Sequence, residues 1–170
     1  MKVAIVTDST SDLQSRAAEM GVEVVPLYVN FKGKIHKDWV EITPNDIFEG
    51  VKAGAGMPST SQPSPVDFKA AYERALQKAD HVLSIHISSK LSGTVQSAQL
   101  ASQDFPGKVT VFDTLAASMG IGMMVERAKE LLDQGAELGQ VLVELERIRA
   151  DHIVRFTLAT LDYLKKNGRI

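Results

Sequence analysis

Apolar and polar positions change period in a regular way along this chain. Residues 3–6 form an unbroken apolar run, as in a strand buried on both faces of a sheet. Ser11 with Gln14 three residues on reads as a capping box for a helix ending near Gly21. Residues 22–29 read as one strand, and 31–34 as a turn into a short edge segment. Thr43-Pro44-Asn45-Asp46 opens a helix carrying Ile47, Phe48 and Val51, which ends in Gly54-Ala55-Gly56. Residues 57–64 form a loop with two prolines and several hydroxyls, and Ser64-Pro65-Val66-Asp67 repeats the start signal. Phe68, Ala71, Tyr72, Ala75, Leu76 and Ala79 then recur at helical spacing. A strand over 82–87, a helix over 95–102 and a strand over 108–112 follow. Ile121, Met124, Val125, Ala128, Leu131 and Leu132 mark a long helix stopped by Gly135. Leu138, Val141, Leu142, Leu145 and Ile148 mark the next. A late strand over 152–158 and a short helix over 160–166, closed by Gly168, complete the reading.

Strands alternating with helices predict an α/β fold, a parallel-rich sheet with helices on both faces. Ligands in such sheets collect at the carboxyl ends of the strands. Asp8-Ser9-Thr10, Ser88-Ser89-Lys90-Leu91-Ser92-Gly93-Thr94 and Asp113-Thr114 all follow strands, so they are expected to share one edge. The loop 57–64 is expected to fold over it. At the second of these stretches free backbone N–H groups and the helix dipole suit an anion, with Ser92 as cap and Gly93 admitting a close approach. An ordinary structural cap fits the same residues.

Composition narrows the chemistry. The 170 residues are 44% apolar and 24% charged, with net charge −2, so no basic footprint for nucleic acid is present. The absence of cysteine excludes disulfide scaffolds, thiolate metal sites and thiol catalysis. His36, His81, His86 and His152 form no i, i+4 pair, so no metal is expected. No apolar run reaches membrane-spanning length and no signal peptide opens the chain, which reads as cytoplasmic.

The shared edge is rich in hydroxyls and poor in acids and bases, which favours holding a small anionic head group over reacting with it. Thr60 and Ser61 in the loop, with Ser92, Gly93 and Thr94 at the helix start, are the candidates. Two enzymatic alternatives stand beside this. Asp8 suggests a phosphotransferase with an aspartyl nucleophile, though only Asp12 offers a second acid nearby, and an acid that orients the hydroxyl loops or caps a helix fits Asp8 better. Ser92 with His86 suggests a hydrolase, without a Gly-x-Ser-x-Gly elbow. Met119, Met123 and Met124 suit either a pocket for a flexible hydrocarbon or an ordinary core. No dinucleotide or triphosphate loop occurs.

Taken together, Val6-Thr7-Asp8-Ser9-Thr10-Ser11-Asp12, Pro26-Leu27-Tyr28-Val29, Thr60-Ser61-Gln62-Pro63-Ser64, Ser88 to Thr94, Val111-Phe112-Asp113-Thr114 and the ending Leu161-Asp162-Tyr163-Leu164-Lys165-Lys166-Asn167-Gly168-Arg169-Ile170 resemble the DegV family of bacterial fatty-acid-binding proteins. The resemblance implies a two-lobe fold, with a long-chain fatty acid in an apolar tunnel and its carboxylate at the lobe junction. It implies that Thr60 and Ser92 contact the carboxylate, with Ser61 and Gly93 as neighbours and Asp8, Ser9, Thr94 and Arg169 in support. It further implies a carrier without phosphotransfer machinery that presents its ligand to a partner fatty-acid kinase, and no cofactor. Family members run on past Gly-Arg-Ile into a second lobe. Residues 1–170 are therefore expected to be the N-terminal lobe, with the C-terminal lobe absent from this chain. Apolar surface left open by it is expected to make this lobe dimerise.

Overall fold

A computed structural model of the protein describes residues 1–153 together with 155, 157, 161, 164, 165 and 168. In chain order the elements are β1 (Val3–Asp8), a 3-10 turn (Ser9–Ser11), α1 (Gln14–Glu19), β2 (Glu23–Val25), β3 (Tyr28–Phe31), β4 (Lys34–Lys37) and α2 (Pro44–Lys52). Then come β5 (Ser59–Ser61), α3 (Pro65–Leu76), β6 (His81–His86), α4 (Thr94–Ser102), β7 (Val109–Asp113), α5 (Met119–Asp133) and α6 (Leu138–Asp151).

The main sheet is parallel, in the order β2-β1-β6-β7. Its strands read as apolar runs because both faces are covered. Successive side chains alternate between two cores. Ile5, Leu83 and Ile85 pack with Ile121, Met124, Val125 and Leu145 from α5 and α6. Val6 and Val82 pack on the other face with Phe68, Ala71 and Tyr72 of α3 and Ala98 and Ala101 of α4. Each fully buried large side chain contributes about 1.5–3 kcal/mol. Thr43 with Asp46 and Ser64 with Asp67 form the capping boxes that start α2 and α3, each with proline at the start of the helix.

The structure corrects the sequence reading in several places. The strand expected over 22–29 is two strands. Pro26, which has no N–H to donate to a ladder, breaks it. β2 stays in the parallel sheet, and β3 joins a separate antiparallel sheet in the order β4-β3-β5. The loop 57–64 contains β5, an edge strand paired with β3. No side chain caps α1, so the Ser11–Gln14 box does not form; Ser11 is buried in the 3-10 turn instead. Phe48 lies exposed, whereas Ile47 and Val51 pack on β3. His152 ends α6, and the late strand and short helix expected beyond it fall largely outside the described residues.

Candidate functional site

After β1 the chain passes outward to β2, and β6 later enters on the other side of β1. The carboxyl ends of β1 and β6 therefore flank a topological switch point, where α/β sheets open a crevice. Asp8 ends β1 there and is fully buried. Its Oδ1 accepts the Thr10 N–H at 3.0 Å and the Thr10 hydroxyl. Its Oδ2 accepts Nδ1–H of His86 at 3.0 Å and the Ile87 N–H at 3.1 Å. Burial works to raise its pKa. The bond and charge of His86, with the Thr10 and Ile87 bonds, outweigh that and hold Asp8 below the usual carboxylate value. Asp8 thus caps the 3-10 turn and fixes Thr10.

His86 continues inward. Its Nε2 lies 2.5 Å from Ser84 Oγ, which lies 2.9 Å from the Tyr72 hydroxyl. The ring packs edge-on against Phe68 at 5.0 Å. Asp8, His86 and Ser84 are linked in the manner of a hydrolytic triad, yet all three are 0% exposed, so no substrate reaches Ser84 in this conformation. His86 makes no hydrogen bond to Ser92. The Ser92 hydroxyl instead lies 2.9 Å from that of Thr94, which is fully buried. Ser92 is not the cap expected of it either. Gly93 occupies that position and no side chain caps α4, which leaves the first backbone N–H groups of the helix without a side-chain partner.

A cavity of about 340 Å³ opens beside this edge. Thr60 reaches it from β5, Ser92 from the β6–α4 loop, and Thr10 from the 3-10 turn. Leu27, Val29, Ile47, Pro58, Ile87 and Leu91 supply an apolar lining. Asp38, just after β4, is the acid in its wall. The Ser9 hydroxyl donates to Asp38 Oδ2 at 2.7 Å and accepts the Leu27 N–H at 3.1 Å, which ties the small sheet to the large one. Register explains why Thr60 faces the cavity. It pairs with Val29, also in the lining, whereas Ser61 pairs with Tyr28 one position on and so belongs to the opposite face. The tertiary fold thus unites Thr60 with Ser92 but not with Ser61.

Gly93 has a different neighbour from the one anticipated. A Cβ there would lie 2.8 Å from Gln62 Nε2, so the glycine admits the Gln62 amide and pins the segment after β5 to the start of α4. Asp113 and Thr114 staple strand ends, Thr114 by donating to the His86 carbonyl at 2.8 Å and Asp113 by accepting the Ser89 and Leu115 N–H groups. Arg169 lies outside the described residues. Met124 is core, whereas Met119 and Met123 are exposed. Thr10 and Asp38 are lining residues that sequence reasoning did not single out. Thr10 carried a signal, its place directly after a strand end. Asp38 carried none, because its contact with Ser9 is made between two sheets.

A larger cavity, about 510 Å³, lies at the opposite, amino end of β1. Its charged lining is largely engaged in internal pairs, Arg74 with Glu23 and Lys129 with Asp133. It lacks the converging hydroxyls of the carboxyl end, which makes the smaller cavity the better ligand site. Among the described residues no cluster of His, Asp and Glu suits a metal, and no helix is long and apolar enough to cross a membrane.

Comparison with known proteins completes the picture. A family profile described as an uncharacterised protein of the DegV family matches residues 2–170. A DegV domain-containing protein of Deinococcus radiodurans is 52% identical, over 100% of this chain and 61% of its own. A DegV family protein of Thermus thermophilus, whose structure is described as showing fatty acid binding, is 64% identical with a TM-score of 0.95, over 99% of this chain and 61% of its own. The Streptococcus pneumoniae fatty acid kinase (Fak) B3 protein, solved loaded with linoleic acid, is 27% identical with a TM-score of 0.79, over 100% of this chain and 62% of its own. The chain thus spans about 61% of the length of the curated relatives it matches.

Proposed function

The chain belongs to the DegV family, and we propose that it forms the lobe of a fatty-acid-binding protein that grips the ligand's carboxylate. The observation that carries this reading is the meeting of Thr60 and Ser92 in one largely apolar cavity at the switch point of the sheet. Hydroxyl donors and the uncapped start of α4 suit a carboxylate. Leu27, Val29, Ile47 and Ile87 suit the first carbons of an acyl chain. The Thermus thermophilus and Streptococcus pneumoniae relatives, described as binding fatty acid and linoleic acid, support the same ligand.

In this reading Thr60 and Ser92 hold the carboxylate, Asp8 and Thr94 orient the hydroxyls around them, and Gly93 lets the Gln62 segment close over the site. Ser61 sits behind the site rather than in it. Residues 1–170 act as an N-terminal lobe, and a second lobe of the whole protein completes the tunnel. The carrier works in the cytoplasm without catalysis of its own and presents the carboxylate to a fatty-acid kinase. The kinase-protein relative supports that role, as does the burial of the one Asp–His–Ser arrangement at the site.

Native mass spectrometry of the purified chain and of the full-length protein, followed by organic extraction, tests the proposal. The expected result is a co-purifying long-chain acid in at least the full-length form. Ser92→Ala is expected to lower affinity by about tenfold or more, since a hydrogen bond to a charged group contributes about 1.5–3 kcal/mol. Delipidated full-length protein that takes up no fatty acid overturns the reading.

A further inference from the structure

The cavity is asymmetric in its protons. On the β1 side the Thr10 N–H and hydroxyl are both given to Asp8. The Ser9 hydroxyl is given to Asp38. That side therefore offers a bound head group acceptors only: the Thr10 oxygen and the Asp38 carboxylate. Donors are left on the other side, at Thr60, Ser92 and the start of α4. A carboxylate held by Thr60 and Ser92 shares a small, apolar-lined space with Asp38. Two carboxylates in such a space repel unless a proton comes between them.

We infer that Asp38 sets the affinity and pH dependence of the site, the anionic ligand binding together with one proton that Asp38 takes up. The inference rests on the fatty-acid reading and adds to it a residue that selects by charge. Asp38 is predisposed to hold that proton. Burial raises its pKa, and the charges of Asp12 and Asp8 push the same way against the Ser9 hydroxyl and the Trp39 N–H. Among the described residues, none that lines the cavity carries a positive charge. Ile47 faces the cavity from α2, Thr60 from β5, and Ile87, Leu91 and Ser92 from β6 and its loop, and none of these titrates in the working range. Asp8 keeps its charge through His86 and so remains a fixed repulsive neighbour.

Calorimetric titration of delipidated full-length protein with palmitate, in two buffers of different ionisation heat, measures the proton count directly. Uptake approaching one proton per palmitate is expected in the wild type, with affinity falling by up to about tenfold per pH unit as Asp38 ionises. Asp38→Asn keeps the shape and the Ser9 contact but has no charge to neutralise. It should bind with the proton count reduced by the Asp38 share and a flatter affinity profile. Ser9→Ala removes a hydroxyl that favours ionised Asp38, so its fall in affinity should move to higher pH. Equal proton uptake and equal pH profiles in wild type and Asp38→Asn overturn the inference while leaving the fatty-acid reading intact. Absence of palmitate binding in the wild type overturns both.

Discussion

Asp8 has no access to solvent, and what keeps it charged is local: His86 Nδ1–H, the Ile87 N–H and both donors of Thr10. Its folded pKa lies below the ordinary value of 3.8. The stability from this depression is present above the unfolded value and is lost as pH falls through the folded one. Asp8→Asn keeps the shape but leaves His86 and the donors facing an amide. It is expected to cost about 3–5 kcal/mol at neutral pH, as when one partner of a buried pair is removed. Denaturant melts of both proteins between neutral pH and the acid range check this. Wild type should lose its advantage over the variant only below about pH 3.8. A constant difference down to the lowest pH would show that Asp8 is not held charged by this network. Part of this was legible at the residue level. Asp8 is read from sequence as an orienting or capping acid after a strand, and it is both. His86 was placed on the strand, but its face was not, because six successive residues of β6 are buried and no alternation distinguishes them.

Elements meet where small residues allow it. Gly122 on α5 lies against the 3-10 turn that carries Ser9 and Thr10, and a Cβ there would come 2.6 Å from the Ser11 carbonyl oxygen. Backbone cannot move aside as a side-chain tip can. Gly122→Ala should therefore destabilise the protein by about 1–3 kcal/mol, the usual cost of overpacking. It should also weaken ligand binding by displacing the turn. Thermal melts and a binding titration read both effects, and an unchanged melting temperature would show that α5 shifts freely. Helix starts with paired acid and hydroxyl, at Thr43 and Ser64, were legible because a capping box is a local device. The split of 22–29 at Pro26 and the pairing of 59–61 were not. Both depend on a partner, β3, which satisfies backbone groups at a distance.

On the scale of the molecule, Leu115, Met119 and Met123 stand four residues apart and remain 42%, 42% and 62% exposed. Met119 and Met123 form a short apolar stripe at the start of α5, and Leu115 precedes that helix at the carboxyl edge of the sheet. Apolar surface of this kind marks a contact. The isolated 170-residue chain is expected to self-associate at high micromolar concentration in sedimentation velocity, and Met123→Glu to reduce that association. A monomer at every concentration would show that the stripe is tolerated in water.

Local patterning by itself determined the α/β class, the parallel sheet and most helix limits. It did so because burial periods, caps and strand ends are written in neighbouring residues. Only the tertiary structure decided that Ser61 turns away, that Gln62 fills the space over Gly93, that His86 faces Asp8 and Ser84 rather than Ser92, and that Asp38 enters the cavity wall. Each of these follows from strand register or from contact between two sheets, and neither is encoded at short range.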